Sequence, residues 1–205
     1  MYNGGSYKND GIYNGRAYKS KTVYKESNGG GGGNVVNIGG VDYEYIQVGN
    51  LYIIKENLRL HTSNFYYPNN DPSKEMSMGL LYQAKIMFDE IEPILSDGWR
   101  IPDVTDFDYL YNFDRISNDY ISTIDGGNDS LGTSIPLCGY RGGTSNFVYY
   151  GSKCLLWSST AYGDNVTTYN ADFTKNANMN PRDYSRGTRY GLENTSLSVR
   201  VVKDV

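Results

Sequence analysis

The sequence predicts an α+β fold. Two stretches in the middle of the chain have helical spacing. Several short runs with strand character surround them, most after residue 120. The length, 205 residues, suits one domain of ordinary size with an appendage.

The elements follow in chain order. Val41 to Val48 alternates well enough for a strand, Gly49-Asn50 marks a turn, and Leu51 to Ile54 reads as the second strand of a hairpin. Over residues 80–92, Leu80, Leu81, Ala84, Met87, Phe88 and Ile91 fall on one helical face, and Pro93 should end or bend that helix. A second helix is expected to start at Asp103. That side chain can cap free backbone N–H groups, Asp106 sits three residues on, and Phe107, Leu110 and Tyr111 form the buried face. Beyond residue 120 the strand candidates are Phe147 to Tyr150, Leu155 to Ser158, Thr167 to Phe173 and Leu197 to Val202.

The chain divides into three. Residues 1–27 carry an eleven-residue Tyr-Asn-Gly repeat: Tyr2-Asn3-Gly4-Gly5-Ser6-Tyr7-Lys8, then Tyr13-Asn14-Gly15-Arg16-Ala17-Tyr18-Lys19, then a truncated copy at Tyr24-Lys25. Such units cannot bury a core alone, so they dock onto something larger or stay free as a tail. In the docking reading Tyr2, Tyr7, Tyr13, Tyr18 and Tyr24 are the assembly anchor. Residues 28–33, Asn28 and five glycines, form a tether of maximal backbone freedom. Residues 34–205 are the globular part.

Composition narrows the function. A formal charge of −4 gives no basic bias, so nucleic acid is not an expected partner. No run of eighteen apolar residues exists, so no membrane-spanning helix is expected. The first residues hold no apolar signal core, which predicts that the chain is not exported by the common route. Cys138 and Cys154 lack the CxxC or His/Cys company of a zinc site and are expected to be reduced and buried. His61 is the single histidine and cannot build a relay or a histidine metal site.

Six separated segments resemble one known family. They are Ile53-Ile54-Lys55-Glu56-Asn57-Leu58-Arg59, Tyr82-Gln83-Ala84, Gly98-Trp99-Arg100-Ile101-Pro102 with Phe107 and Leu110 after it, Gly139-Tyr140-Arg141, Leu156-Trp157-Ser158-Ser159-Thr160, and Ser198-Val199-Arg200-Val201-Val202. In order and spacing they are similar to the Fibrobacter succinogenes major paralogous domain, a branch of the C-type-lectin-like and sulfatase-modifying-factor-like group. The resemblance implies a C-type-lectin-like fold: two helices, twisted antiparallel sheets, and a long variable loop region carrying the binding surface. The family often has cysteines where this chain has Asp97 and Val201, so the family disulfide is absent here. That absence, together with the missing export signal, fits a protein folded in a host cytoplasm. A tailed bacteriophage virion protein is such a case.

For chemistry, the serine-hydrolase elbow Gly-x-Ser-x-Gly is missing. Asp103, Asp106, Asp108 and Asp89, Glu90, Glu92 could offer a carboxylate pair, but helix caps and solvated faces explain them more simply. Lectin calcium motifs are missing too, and Asp125-Gly126-Gly127-Asn128-Asp129 reads as a turn before it reads as a calcium loop. The remaining candidate is the loop expected from Tyr162 to Tyr190. It holds Tyr162, Asn165, Tyr169, Asn178, Asn180, Arg182, Tyr184, Arg186, Arg189 and Tyr190, side chains that stack on rings and donate to hydroxyl or carboxylate oxygens. Trp99 and Trp157 read as core anchors, and Arg100 and Arg200 as partners of carboxylates.

The expectation is therefore a non-catalytic virion structural or adhesion protein, with no cofactor and no metal. Its partners would be other virion proteins through residues 1–27, a host surface glycan or protein, and further copies of itself. It would be placed on the virion surface. The alternatives are a bacterial cell-surface adhesin or lipoprotein-type module binding glycan or protein and, behind these, a carbohydrate-active enzyme.

Overall fold

The computed structural model describes residues 12–13, 16–17, 34–111, 117–143, 146–162, 167–178, 180–186 and 195–205. Helical segments and antiparallel sheets are mixed in it, as the α+β expectation requires.

In the N-terminal segment, β1 (Ile12–Tyr13) pairs antiparallel with β2 (Arg16–Ala17). Of the five anchor tyrosines only Tyr13 falls within the described residues. The first sheet of the globular part contains β3 (Asn34–Ile38), β4 (Val41–Val48) and β5 (Leu51–Ile54), joined edge to edge as consecutive hairpins. Gly49 turns the second hairpin at φ +60, and a Cβ there would lie 1.9 Å from the Tyr109 hydroxyl. That hydroxyl accepts the Asn50 N–H at 3.0 Å, so the turn is locked onto the helix carrying Tyr109.

The helical spacing over 80–92 is realised only in part. A short helix α1 (Glu75–Met78) precedes it, and Gly79 ends α1 at φ +72. Leu80 and Leu81 are fully buried but extended, bonded to Leu58 and Tyr66. Tyr82–Gln83 is a strand, β6. Helix begins at α2 (Ala84–Ile86) and runs on through a π-helical turn, Met87–Ile91, to a 3-10 turn, Glu92–Ile94, that contains Pro93. The apolar spacing was right about burial; the sheet claimed the first residues because their backbone groups find partners there. α3 (Val104–Leu110) starts one residue after Asp103, whose side chain accepts the N–H of Thr105 and of Asp106. Asp106 reciprocates by accepting the Asp103 N–H, closing a capping box.

The remaining strands are β7 (Tyr140–Arg141), β8 (Phe147–Val148), β9 (Lys153–Tyr162), β10 (Thr167–Thr174), β11 (Asn180–Arg186), β12 (Ser196–Leu197) and β13 (Val202–Asp204). They complete three sheets: β13-β5-β4-β3, β6-β12-β7-β8 and β11-β10-β9. Within the interval expected as a long loop, the described residues are largely strand. Thr, Tyr and Asp-Tyr-Ser runs there meet antiparallel partners at each step, and Thr and Tyr favour the pleated surface.

Two apolar clusters form the core. One gathers Tyr43, Leu58, Leu80, Tyr82, Trp99, Trp157 and Val199. The other gathers Phe107, Tyr111, Tyr120, Leu156, Phe173 and both cysteines. Strand β9 separates them: Leu155 and Trp157 face the first cluster, Cys154 and Leu156 the second.

Candidate functional site

The described residues of the expected binding set lie along one three-stranded sheet, β11-β10-β9, and the turn beside it. Asn178 is exposed near the β10–β11 turn, and Asn180 is half-buried opposite Asp172. At the other end of the same sheet Thr167 lies opposite both Tyr162 and Arg186, and Tyr169 lies opposite Tyr184. Arg182, Tyr184 and Arg186 all lie in β11. Asn178 and Arg186 are thus separated by roughly 25 Å of extended chain. Asn165, Arg189 and Tyr190 lie outside the described residues. The described members of the expected set are therefore placed at strand positions and at the β10–β11 turn.

A second group, not singled out from sequence, lies on the β7–β8 hairpin. Tyr149 is 57% exposed and sits at φ +59, a backbone region that bulky residues rarely occupy. The turn demands it: the Tyr149 carbonyl accepts the N–H of Ser152 and of Lys153. Its ring stacks on Tyr140 with centroids 5.8 Å apart, and the Lys153 ammonium lies 5.4 Å from its centroid. From the following residue of β7, the Arg141 guanidinium sits 4.1 Å from the centre of the Tyr66 ring. Tyr150 is also exposed. The signal that could have found this group is the Gly-Tyr-Arg motif followed, across a glycine pair, by Phe147-Val148-Tyr149-Tyr150.

The tryptophans are core residues, as expected. Trp157 is fully buried, and its indole N–H donates to the Tyr82 carbonyl at 2.8 Å. Trp99 packs edge-on against Tyr45 at 5.3 Å. Arg100 meets carboxylates, pairing with Asp106 through two hydrogen bonds and with Asp204 at 3.1 Å. These carboxylates hold its pKa above the usual arginine value, the Asp106 hydrogen bonds being the largest cause. Arg200 departs from expectation. It is fully buried, and its hydrogen bonds run to the Asn57 side chain at 2.9 Å and to the carbonyls of Ile54, Thr133 and Ser134. No ion pair to it is formed among the described residues. Burial lowers its pKa.

The acidic groups considered for catalysis are occupied. Asp103 and Asp106 form the helix cap, and Asp106 also holds Arg100. Burial raises the Asp103 carboxyl, but hydrogen bonds from Thr105 and Asp106 outweigh it and leave it below the usual aspartate value. Asp89 pairs with Lys85, and Glu90 accepts from Ser63. His61 is exposed and bonds Glu75 at 2.8 Å. In the 125–129 turn, Asp125 accepts the Leu137 N–H, while Asp129 accepts both the N–H and the hydroxyl of Ser134. Among the described residues no cluster of three or more His, Cys, Asp or Glu side chains is placed to hold a metal ion. Nor is any helix among them long and apolar enough to cross a membrane.

The six motif segments meet one another. Leu58 donates to Val199, Arg100 and Val202 exchange backbone hydrogen bonds, Trp157 donates to Ser198, and Ser159 donates to Pro102. With the Trp157 indole on Tyr82, five of the six segments form one framework. The sixth joins through Gly139, whose N–H donates to Lys153 beside β9. Comparison of the chain with protein-family models, with curated proteins and with solved structures finds no match.

Proposed function

We propose that this protein is a non-catalytic display module of the C-type-lectin-like kind, carried on the virion of a tailed bacteriophage as a fibre or decoration protein. The observation that carries the reading is the convergence of the six motif segments. Among the described residues they cross-brace the core through backbone hydrogen bonds and the Trp157 indole. The aromatic groups at its surface are Tyr149 stacked on Tyr140, and Tyr66 beneath Arg141. Tyrosine and arginine at a surface suit contacts with sugars, proteins or further copies of the chain.

In this reading residues 1–27 join the protein to other virion proteins, and the glycines at 29–33 give reach. Several tethered copies turn a weak single-site affinity into avidity. Electron microscopy of the source particle tests it. Density for this chain on the virion, with residues 1–27 threaded into a capsid or tail protein, is the expected result. A chain found only on a bacterial surface would replace the phage reading with an adhesin. Turnover on a glycan panel would defeat the non-catalytic reading.

A further inference from the structure

The two cysteines occupy an unusual place. Both are fully buried and unbridged, with their sulfurs 3.4 Å apart. The Cys138 sulfur is also 3.2 Å from the Ser198 hydroxyl and 3.8 Å from the Asn57 amide nitrogen. The same Asn57 accepts from Arg200 Nε through its oxygen. A polar chain therefore runs from a buried cation with no ion pair among the described residues to a thiol pair. The backbone holds the pair in register: Gly139 and Cys154 form a parallel bridge, and the Gly139 N–H donates to Lys153 at 2.8 Å. Gly139 has φ +66, and a Cβ there would lie 2.5 Å from the Val148 carbonyl.

A disulfide needs its sulfurs about 2.05 Å apart. From 3.4 Å the closure is roughly 1.4 Å. We infer that Cys138 and Cys154 are a closable dithiol, reduced where the protein is made and bridged once it meets a low-molecular-weight disulfide outside the cell. The bridge would fasten the base of the segment 139–153, which carries Tyr140, Arg141, Tyr149 and Tyr150. It stands independently of the virion reading, since any protein moved from a reducing to an oxidising compartment meets the same change.

The chemistry balances. Cys138 loses its proton and attacks one sulfur of the external disulfide, breaking that bond and expelling one thiolate. Cys154, deprotonated in turn, attacks the Cys138 sulfur of the mixed disulfide and expels the second thiolate. Two protons pass to the expelled thiols. Two electrons leave the protein, and the external disulfide is reduced. Cys138 is the better first attacker. Hydrogen bonds from Cys154 and Ser198 and the Arg200 charge favour its thiolate, whereas burial pushes Cys154 up. Because both sulfurs are buried, the first attack waits on local opening of the hairpin.

The full-length reduced chain, equilibrated with oxidised glutathione, provides the test. Thiols are counted by alkylation in denaturant and the melting temperature is measured. The expected product is a monomer lighter by two hydrogens, with no alkylatable thiol and a melting temperature higher by about 5–10 °C. Cys138→Ser and Cys154→Ser should each melt alike in oxidising and reducing buffer. Refolding from denaturant in oxidised glutathione removes burial as a kinetic obstacle. Two free thiols persisting even then, or a lasting glutathione adduct on either cysteine, overturns the inference.

Discussion

Arg100 keeps 37% of its side chain exposed and meets two carboxylates, whereas Arg200 is fully buried and meets an amide and three backbone carbonyls. Both stand in short motifs of similar composition, and both read from sequence as partners of acids. The difference lies in what surrounds the charge. At the surface water solvates part of the guanidinium, and Asp106 and Asp204 need only complete the job. In the interior each N–H must find an acceptor or lose its hydration uncompensated. Carbonyl oxygens from two separate segments are brought to Arg200 by the fold, so one side chain ties together residues 54, 57, 133, 134 and 200. A buried cation held by neutral dipoles is a stitch between segments; an exposed one held by acids is a local clamp.

Three measurements press on that contrast. The largest effect is expected for Arg200→Met. It removes the Arg200 donor from the carbonyls of Thr133 and Ser134 and from the Asn57 side-chain oxygen, and should cost about 3–5 kcal/mol in urea unfolding. A loss below about 1 kcal/mol would mean the four hydrogen bonds merely repay the desolvation of the cation. Next is Arg100→Ala, expected to cost about 1–2 kcal/mol. The bidentate pair is lost and the nearly buried Asp106 keeps only the Asp103 N–H of the cap, but water screens the exposed side. Its effect should shrink in high salt while that of Arg200→Met does not.

The smallest is the helix cap beneath Arg100. Asp103→Ala should cost about 1 kcal/mol at neutral pH. Because the folded Asp103 carboxyl titrates below its unfolded value, its contribution is complete above the unfolded pKa and is lost as pH falls through the folded one. The wild-type and Asp103→Ala unfolding curves should therefore converge in acid. Curves that stay parallel from neutral pH to below the aspartate range would show that the cap does not act through its charge.

Much of the framework was legible. Local signals sufficed for the β4–β5 hairpin, for α3 with its Asp103 cap, and for the burial of Phe107, Leu110, Tyr111, Trp99 and Trp157. The start of the helix after residue 80 was not. Leu80 and Leu81 fit a helical face, yet their backbone groups are taken by Leu58 and Tyr66. Strand β11 was missed because its pairing partner, β10, is what makes Asn180–Arg186 extended. The candidate binding surface was the least legible part. The Tyr and Arg residues between 162 and 190 were visible as a composition, but their separation along a sheet depends on register.

The sequence by itself determined the element types where the signal is local: a capping aspartate, a glycine turn, an apolar stripe, an alternating run. Only the tertiary structure decided the rest: that Arg200 finds carbonyls and not a carboxylate, that two cysteines sixteen residues apart touch, and that Tyr149 and Tyr140 stack at the surface. The reason is physical. Caps and turns are settled within a few residues by backbone hydrogen bonding. The partner of a buried group is whatever distant segment packing brings to it, and no spacing along the chain specifies that.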